Sequence, residues 1–307
     1  SNISAMIKNN RRDPKVCSDD FKDRMVVLTG ATSGIGYLTA TKFASRGANL
    51  LCINRNESKS AGLKEEIEKE FGVSCEYILA DMSVMADVRR AAQELQKIDI
   101  PIDVLVHNAG VHRTKRELTP EGFDKVFMVN HLSSFMLNIL LGEKLKLHQE
   151  ARIIQVNSEG HRFAAWGLRL DDLDWQKRRY SGLKSYGSAK LAQLQTMLVF
   201  DEYFKDSGVS INAMHPGAVK SETGKENGAF YRWAKRNFFD KMLRPTEISS
   251  ESIYYLAASK ELEGVSGKFF NLTTEEEPAP PALDKEAAME IWERSIEMTG
   301  VHDIIQK

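Results

Sequence analysis

Between Arg24 and Leu272 the chain alternates short apolar runs of β character with longer helical patterns, and this alternation limits its architecture more than any other feature. Met25–Thr29, Asn49–Asn54, Cys75–Ala80, Ile102–His107, Ala151–Asn157, Val209–His215 and Gly267–Asn271 read as strands. Ile35–Arg46, Lys59–Phe71, Val84–Lys97, Glu121–Leu147, Tyr186–Lys205 and Thr246–Ser259 read as helices. Strands joined by helices of this length pair in parallel, which predicts a doubly wound α/β fold. A seven-stranded parallel sheet carries helices on both faces in a single domain over 23–274. The polar residues 1–22 read as an extension, with those before Met6 a cloning remnant. Residues 275–307 read as a tail ending in a short amphipathic helix, Lys285–Met298. Two stretches break the alternation. Arg162–Leu183 holds Trp166, Trp175 and Asp171-Asp172-Leu173-Asp174, while 220–244 interleaves Phe230, Tyr231, Trp233, Phe238 and Phe239 with basic residues. The second reads either as a lid over a ligand or as a fixed amphipathic helix.

Charge and cysteine usage exclude several classes. Lys plus Arg number 42 against 43 Asp plus Glu, a net charge of −1, so no broad field gathers nucleic acid. Cys17, Cys52 and Cys75 are too few and too scattered for a disulfide framework or a zinc site, and no metal is expected. No stretch approaches the roughly eighteen apolar residues of a membrane span. The opening residues lack the apolar core of a secretory signal, so the expected location is the cytoplasm.

The first strand runs into Thr29-Gly30-Ala31-Thr32-Ser33-Gly34-Ile35-Gly36 and then a helix. Glycines let the chain turn sharply and let backbone N–H groups approach a pyrophosphate, and the helix N-terminus adds positive partial charge. The second strand ends Ile53-Asn54-Arg55. An NAD-selective site usually places an acid there for the ribose hydroxyls. Asn54 removes that repulsion and Arg55 can pair with a 2′-phosphate, so the expected cofactor is NADP(H). A solvated loop arginine is the bland alternative. Asp81, at the end of the third strand, can accept from an adenine amino group or cap the helix from Val84.

Tyr186 and Lys190 sit at i and i+4 on one helix face, about 5–6 Å apart at Cβ. A phenol of pKa near 10 is a poor base at neutral pH, and a neighbouring cation moves it toward its working range. Taken alone, such a pair is more often a surface contact. Ser158, at the carboxyl edge of the fifth strand, can hydrogen-bond a substrate oxygen or serve as a cap. Asn130 lies mid-helix, where Asn is locally unfavourable, which points to a buried polar role or to a solvent-facing side chain.

Thr29-Gly30-x-x-x-Gly34-x-Gly36, Asn108-Ala109-Gly110, Asn130, Ser158, Tyr186-x-x-x-Lys190 and Pro216-Gly217 stand in one order, and together they resemble the short-chain dehydrogenase/reductase family over about Asp23–Leu272. Within it, Ser158-Glu159-Gly160-His161, Leu170-Asp171-Asp172-Leu173, Tyr180-Ser181 and Tyr186-Gly187-Ser188-Ala189-Lys190-Leu191-Ala192 resemble the retinol dehydrogenase and WW-domain-containing oxidoreductase branch. The resemblance implies a Rossmann fold and NADP(H)-dependent hydride transfer to or from a small-molecule carbonyl or alcohol, here lipophilic. It implies Tyr186 as acid/base, Ser158 orienting the substrate oxygen, Lys190 also binding the nicotinamide ribose, and Asn130 holding a relay water. It implies a cofactor contacted by Gly30, Thr32, Ser33, Gly34, Ile35, Gly36, Arg55, Asp81, Met82, Asn108, Ala109, Gly110, Pro216, Gly217, Val219 and Ser221, and a homo-oligomer. His107 replaces the usual Asn, Ser221 the usual Thr, and the hydrophobic anchor of many retinol dehydrogenases is missing. A catalytically silent NADP(H)-binding sensor or scaffold and a carbon–carbon double-bond reductase are the alternatives on the same fold.

Overall fold

The computed structural model describes residue 9 and residues 12–148, 150–217 and 245–305. Val219, Ser221 and the expected lid at 220–244 lie outside the described residues. The strands are β1 Met25–Thr29, β2 Asn49–Asn54, β3 Cys75–Leu79, β4 Val104–His107, β5 Arg152–Val156, β6 Ser210–His215, β7 Phe269–Asn271 and β8 Thr274–Glu275. They form one sheet in the order β3-β2-β1-β4-β5-β6-β7-β8. Neighbours from β3 to β7 pair in parallel, so the seven expected strands are present. The eighth is an antiparallel addition to β7, reached through Leu272 at φ 55.

The helices are α1 Gly34–Ala44, α2 Glu57–Phe71 and α3 Met85–Lys97. The next, α4, is α-helical over Lys125–Phe127, widens to a π-helix over Met128–Leu132 and resumes over Ser133–Leu140. Then come α5 Gly142–Leu147, α6 Gly182–Tyr203, α7 Glu247–Ala258 and α8 Lys285–Thr299. The single helix expected over Glu121–Leu147 is therefore divided. A side chain at Gly142, where the second piece begins, would put its Cβ 3.1 Å from the Tyr203 hydroxyl of α6.

Because both sheet faces are covered, the strands are apolar on both sides. Val26, Leu28, Leu50 and Cys52 join Phe43 of α1, Ile67 of α2 and Ile253 of α7 in one core layer. Val27, Leu51 and Ile53 join Val88 of α3, Phe135 of α4, Phe200 of α6 and Trp292 of α8 in the other. The Trp292 ring lies 5.0 Å from Phe135 and 4.7 Å from Phe200, edge to face, so the tail helix is part of the core rather than an appendage. None of the described helices is long and apolar enough to cross a membrane. Strand order reverses between β1 and β4, and in open α/β sheets the crevice outside the carboxyl ends at such a reversal is where ligands bind.

Candidate functional site

A cavity of about 790 Å³ opens at that reversal, within the range of small-molecule sites. Its floor is the turn between β1 and α1, where Gly30 (φ 72) and Gly34 (φ 56) take left-handed conformations that L side chains rarely adopt. A Cβ on Gly36 would overlap the Gly30 carbonyl oxygen and lie 2.5 Å from Asn108 Nδ2. The third glycine is thus required for space. Gly36→Ala is expected to destabilise the fold by about 1–3 kcal/mol and to weaken dinucleotide binding, checked by thermal melting and by fluorescence titration of the same preparation. No side chain caps the N-terminus of α1 and no acid sits in its first turn, so its positive end is available to an anion.

Several residues expected at the cofactor also brace this turn. Asn108 Nδ2 donates to the carbonyls of Thr29 (3.1 Å) and Gly30 (2.9 Å), while the amides of Asn108 and Ala109 each donate to Thr29 Oγ1 at 3.0 Å. Asn54 is buried, and its Oδ1 accepts from the Ala31 amide at 2.8 Å. That bond fixes the amide orientation and leaves Nδ2 buried with no hydrogen-bond partner among the described residues. Arg55, Asn56 and Lys59 line the same end of the cavity, with Arg55 and Lys59 exposed. At the end of β3, Asp81 Oδ1 accepts from Ser83 N (2.8 Å) and Ser83 Oγ (2.7 Å), closing a local turn. It does not cap the next helix: α3 begins at Met85, whose amide donates to Glu121 at 2.8 Å.

At the other end of the cavity, Ser158, Tyr186 and Lys190 come together with Asn130. Ser158 caps a 3-10 helix, Glu159–Ala164, and its Oγ accepts from the Gly160 amide at 3.0 Å. A Cβ on Gly160 would lie 2.7 Å from the Tyr186 ring and 3.2 Å from Ser158 Oγ, so this glycine lets hydroxyl and phenol share one space. Gly187 repeats the device one residue on, where a Cβ would meet the Gly160 carbonyl at 2.8 Å. The Lys190 ammonium is 5.9 Å from the Tyr186 ring centre and donates to the Val156 carbonyl at 2.8 Å. Burial holds its pKa down to about 7, because a charged ammonium loses its hydration there.

Asn130 is buried within the π-helical segment of α4. Its Nδ2 donates to the Val111 and Val126 carbonyls, both at 2.8 Å, and its Oδ1 accepts from the Val111 amide at 3.3 Å. Both amide hydrogens are thereby committed to main chain. Such π segments are rare and concentrate at functional sites. Met82, Pro216 and Gly217 also line the cavity.

Sequence reasoning missed Lys59, which stands at i+4 from Arg55 and carried a readable spacing signal. It also missed His112, whose ring packs edge-on to Tyr186 at 5.7 Å, and the walls formed by Val129, Phe163 and Leu183. These four come from one loop and three separate helices and share no local pattern.

The short chain dehydrogenase family pattern matches residues 24–167. Retinol dehydrogenase 13 of Homo sapiens is 33% identical over 285 residues, spanning 91% of this chain and 85% of that protein. The WW domain-containing oxidoreductase of Danio rerio is 32% identical over 286 residues, spanning 90% of this chain and 68% of that protein. The solved structure of an uncharacterized protein from Mycobacterium Paratuberculosis superposes with a TM-score of 0.72 at 25% identity, covering 92% of this chain and 95% of that one. With its sheet, its glycine turn and relatives of this closeness, the chain belongs to the short-chain dehydrogenase/reductase family, near the retinol dehydrogenase branch.

Proposed function

We propose that the protein transfers a hydride between NADP(H) and a lipophilic carbonyl or alcohol. The observation that carries this reading is the convergence of Ser158, Tyr186 and Lys190 in the same cavity as the glycine turn. The residues fit a phosphorylated dinucleotide. Gly36 lets the turn close tightly on the Gly30 carbonyl, the N-terminus of α1 is free of acids, and Asn54 Nδ2, without a partner among the described residues, belongs to the same cavity lining as Arg55 and Lys59. Gly30, Thr32, Ser33, Gly34, Ile35 and Gly36 would hold the pyrophosphate, Arg55 and Lys59 the 2′-phosphate, and Asp81 and Met82 the adenine side. Bound there, the nicotinamide supplies or accepts the hydride.

The protein's own groups manage the substrate oxygen. The Gly160 amide occupies a lone pair of Ser158 Oγ, which favours turning that hydroxyl's hydrogen toward the substrate oxygen. Tyr186 gives a proton to the oxygen during reduction and takes it back during oxidation. A protonated Lys190 lowers the phenol pKa, and a titration near neutrality makes that help sensitive to pH. Asn130 would hold the water that continues the proton relay, with its side-chain amide hydrogens committed to the Val111 and Val126 carbonyls. Val129, Phe163 and Leu183 supply apolar walls, which with relatives named retinol dehydrogenase points to a retinoid-like alcohol or aldehyde.

Fluorescence titration tests the cofactor assignment. Wild type is expected to bind NADPH at least 10-fold more tightly than NADH. Arg55→Ala is expected to lose most of that preference with NADH binding unchanged, as removal of a charge-assisted phosphate contact predicts. Equal binding of both cofactors by the wild type would overturn the NADP(H) reading.

A further inference from the structure

His161 lies three residues beyond Ser158 on the 3-10 helix, with no exposed surface. Its Nδ1 is 2.7 Å from the Ser158 carbonyl oxygen and its Nε2 is 3.0 Å from the Ala279 amide nitrogen. A backbone amide can only donate and a carbonyl can only accept. Nε2 is therefore bare, Nδ1 carries the hydrogen, and both ring nitrogens are satisfied in one neutral tautomer. An imidazolium would aim an N–H at the Ala279 N–H. The ring also stacks edge-on against Phe269 of β7 at 5.2 Å, which leaves it little room to turn.

Ser158 is thus gripped at each of its polar groups. Its amide donates to Asn157 Oδ1 at 2.7 Å, its hydroxyl accepts from Gly160, and its carbonyl receives His161 Nδ1–H. The carbonyl also accepts the His161 main-chain amide at 3.2 Å, a local bond, whereas the imidazole that shares this carbonyl is anchored 118 residues away in the segment leading to α8.

We propose that His161 is a positioning residue for Ser158: as the neutral Nδ1–H tautomer it clamps the serine main chain to the tail at Ala279, making that segment a working part of the site. This inference rests on the proposed hydride transfer. Hydroxyl placement matters because displacement of a reacting group by about 1 Å can cost on the order of 100-fold in rate. The clamp acts through Ser158 and touches neither cofactor nor substrate.

The test compares His161→Phe, which keeps ring volume and removes both bonds, with His161→Asn, which can restore a donor toward the Ser158 carbonyl. Carbonyl reduction is normalised to sites that bind NADPH, so misfolded protein does not count. For His161→Phe, kcat is expected to fall about 10- to 100-fold with the NADPH dissociation constant within about twofold of wild type. His161→Asn, which keeps a donor toward Ser158 but loses the link to Ala279, is expected to recover only part of kcat, and full recovery would overturn the role given to the tail. Unchanged kcat per NADPH-binding site in His161→Phe would overturn the proposal. A second reading uses no turnover. In the wild type, ¹⁵N–¹H long-range NMR correlations of the imidazole are expected to show hydrogen on Nδ1 alone, and hydrogen on Nε2 would overturn the clamp whatever the activity. A wild type that binds NADPH and shows the Nδ1–H tautomer but reduces no carbonyl would instead overturn the hydride-transfer reading, and with it the proposed role of the clamp.

Discussion

Tyr186→Phe is expected to lower carbonyl reduction by about 10²- to 10⁴-fold while leaving NADPH binding and thermal stability close to wild type. The substitution removes one oxygen and keeps the ring that fills the space beside Gly160. The edge-on contact with His112 and the close approach of the ring to Gly160 survive the substitution. What is lost is the proton donor, so the effect belongs in kcat rather than in cofactor affinity. Single-turnover measurement with enzyme saturated in NADPH checks this directly. Retention of more than about a tenth of the wild-type rate would remove Tyr186 from the acid/base role. If no carbonyl compound is turned over but NADPH binds, a sensor or scaffold would account for the intact site.

Acidification to about pH 4 is expected to unfold the protein cooperatively. His107, His131, His161 and His215 are all buried, and loss of hydration pushes their pKa values down to about 4, 3, 4 and 3. The direction follows from proton binding. Unfolded imidazoles titrate near 6.5, so from about pH 6.5 down to the folded values the unfolded chain holds more protons, and stability falls with pH. Each histidine contributes a few kcal/mol, on the order of 10 kcal/mol together, comparable with the whole stability of a typical domain. Asp124 opposes them. Burial raises its pKa to about 6, so the folded state gains a proton between about pH 6 and 4 and recovers a few kcal/mol. Burial raises the Glu159 and Asp174 carboxyls in the same direction, and these three acids offset only part of what four histidines lose. Far-UV circular dichroism between pH 7 and 3.5 checks the expectation, and native ellipticity throughout would contradict it. His131→Gln should move the midpoint toward lower pH if the fold tolerates it.

The parallel sheet was legible because each buried strand is a dense apolar run between helical patterns, a signal that survives without tertiary context. The glycine turn was legible for a similar reason, since Gly30, Gly34 and Gly36 answer to local backbone demands. The π segment around Asn130 was not readable, and neither was the pairing of Asn130 with Val111, which comes from a different loop. Nor was β8, whose two residues are too short for any alternation to register. Asn54 was read for the charge it lacks, whereas its carbonyl holds Ala31 in the turn. His161 stands in the Ser158-Glu159-Gly160-His161 motif, yet its contact with Ala279 spans 118 residues and exists only after the tail has folded back.

The docking of α8 has a consequence for the order in which the molecule can be assembled. Synthesis proceeds from the N-terminus, so every strand through β7 leaves the ribosome before Trp292 does. Until Trp292 arrives, Phe135 and Phe200 lack part of their apolar cover, and until Ala279 docks just before it Ser158 lacks its distant anchor. The nascent chain therefore passes through a stage with a paired sheet, an exposed aromatic patch and an unfinished site, and that patch is where a chaperone that grips apolar surface would find its hold.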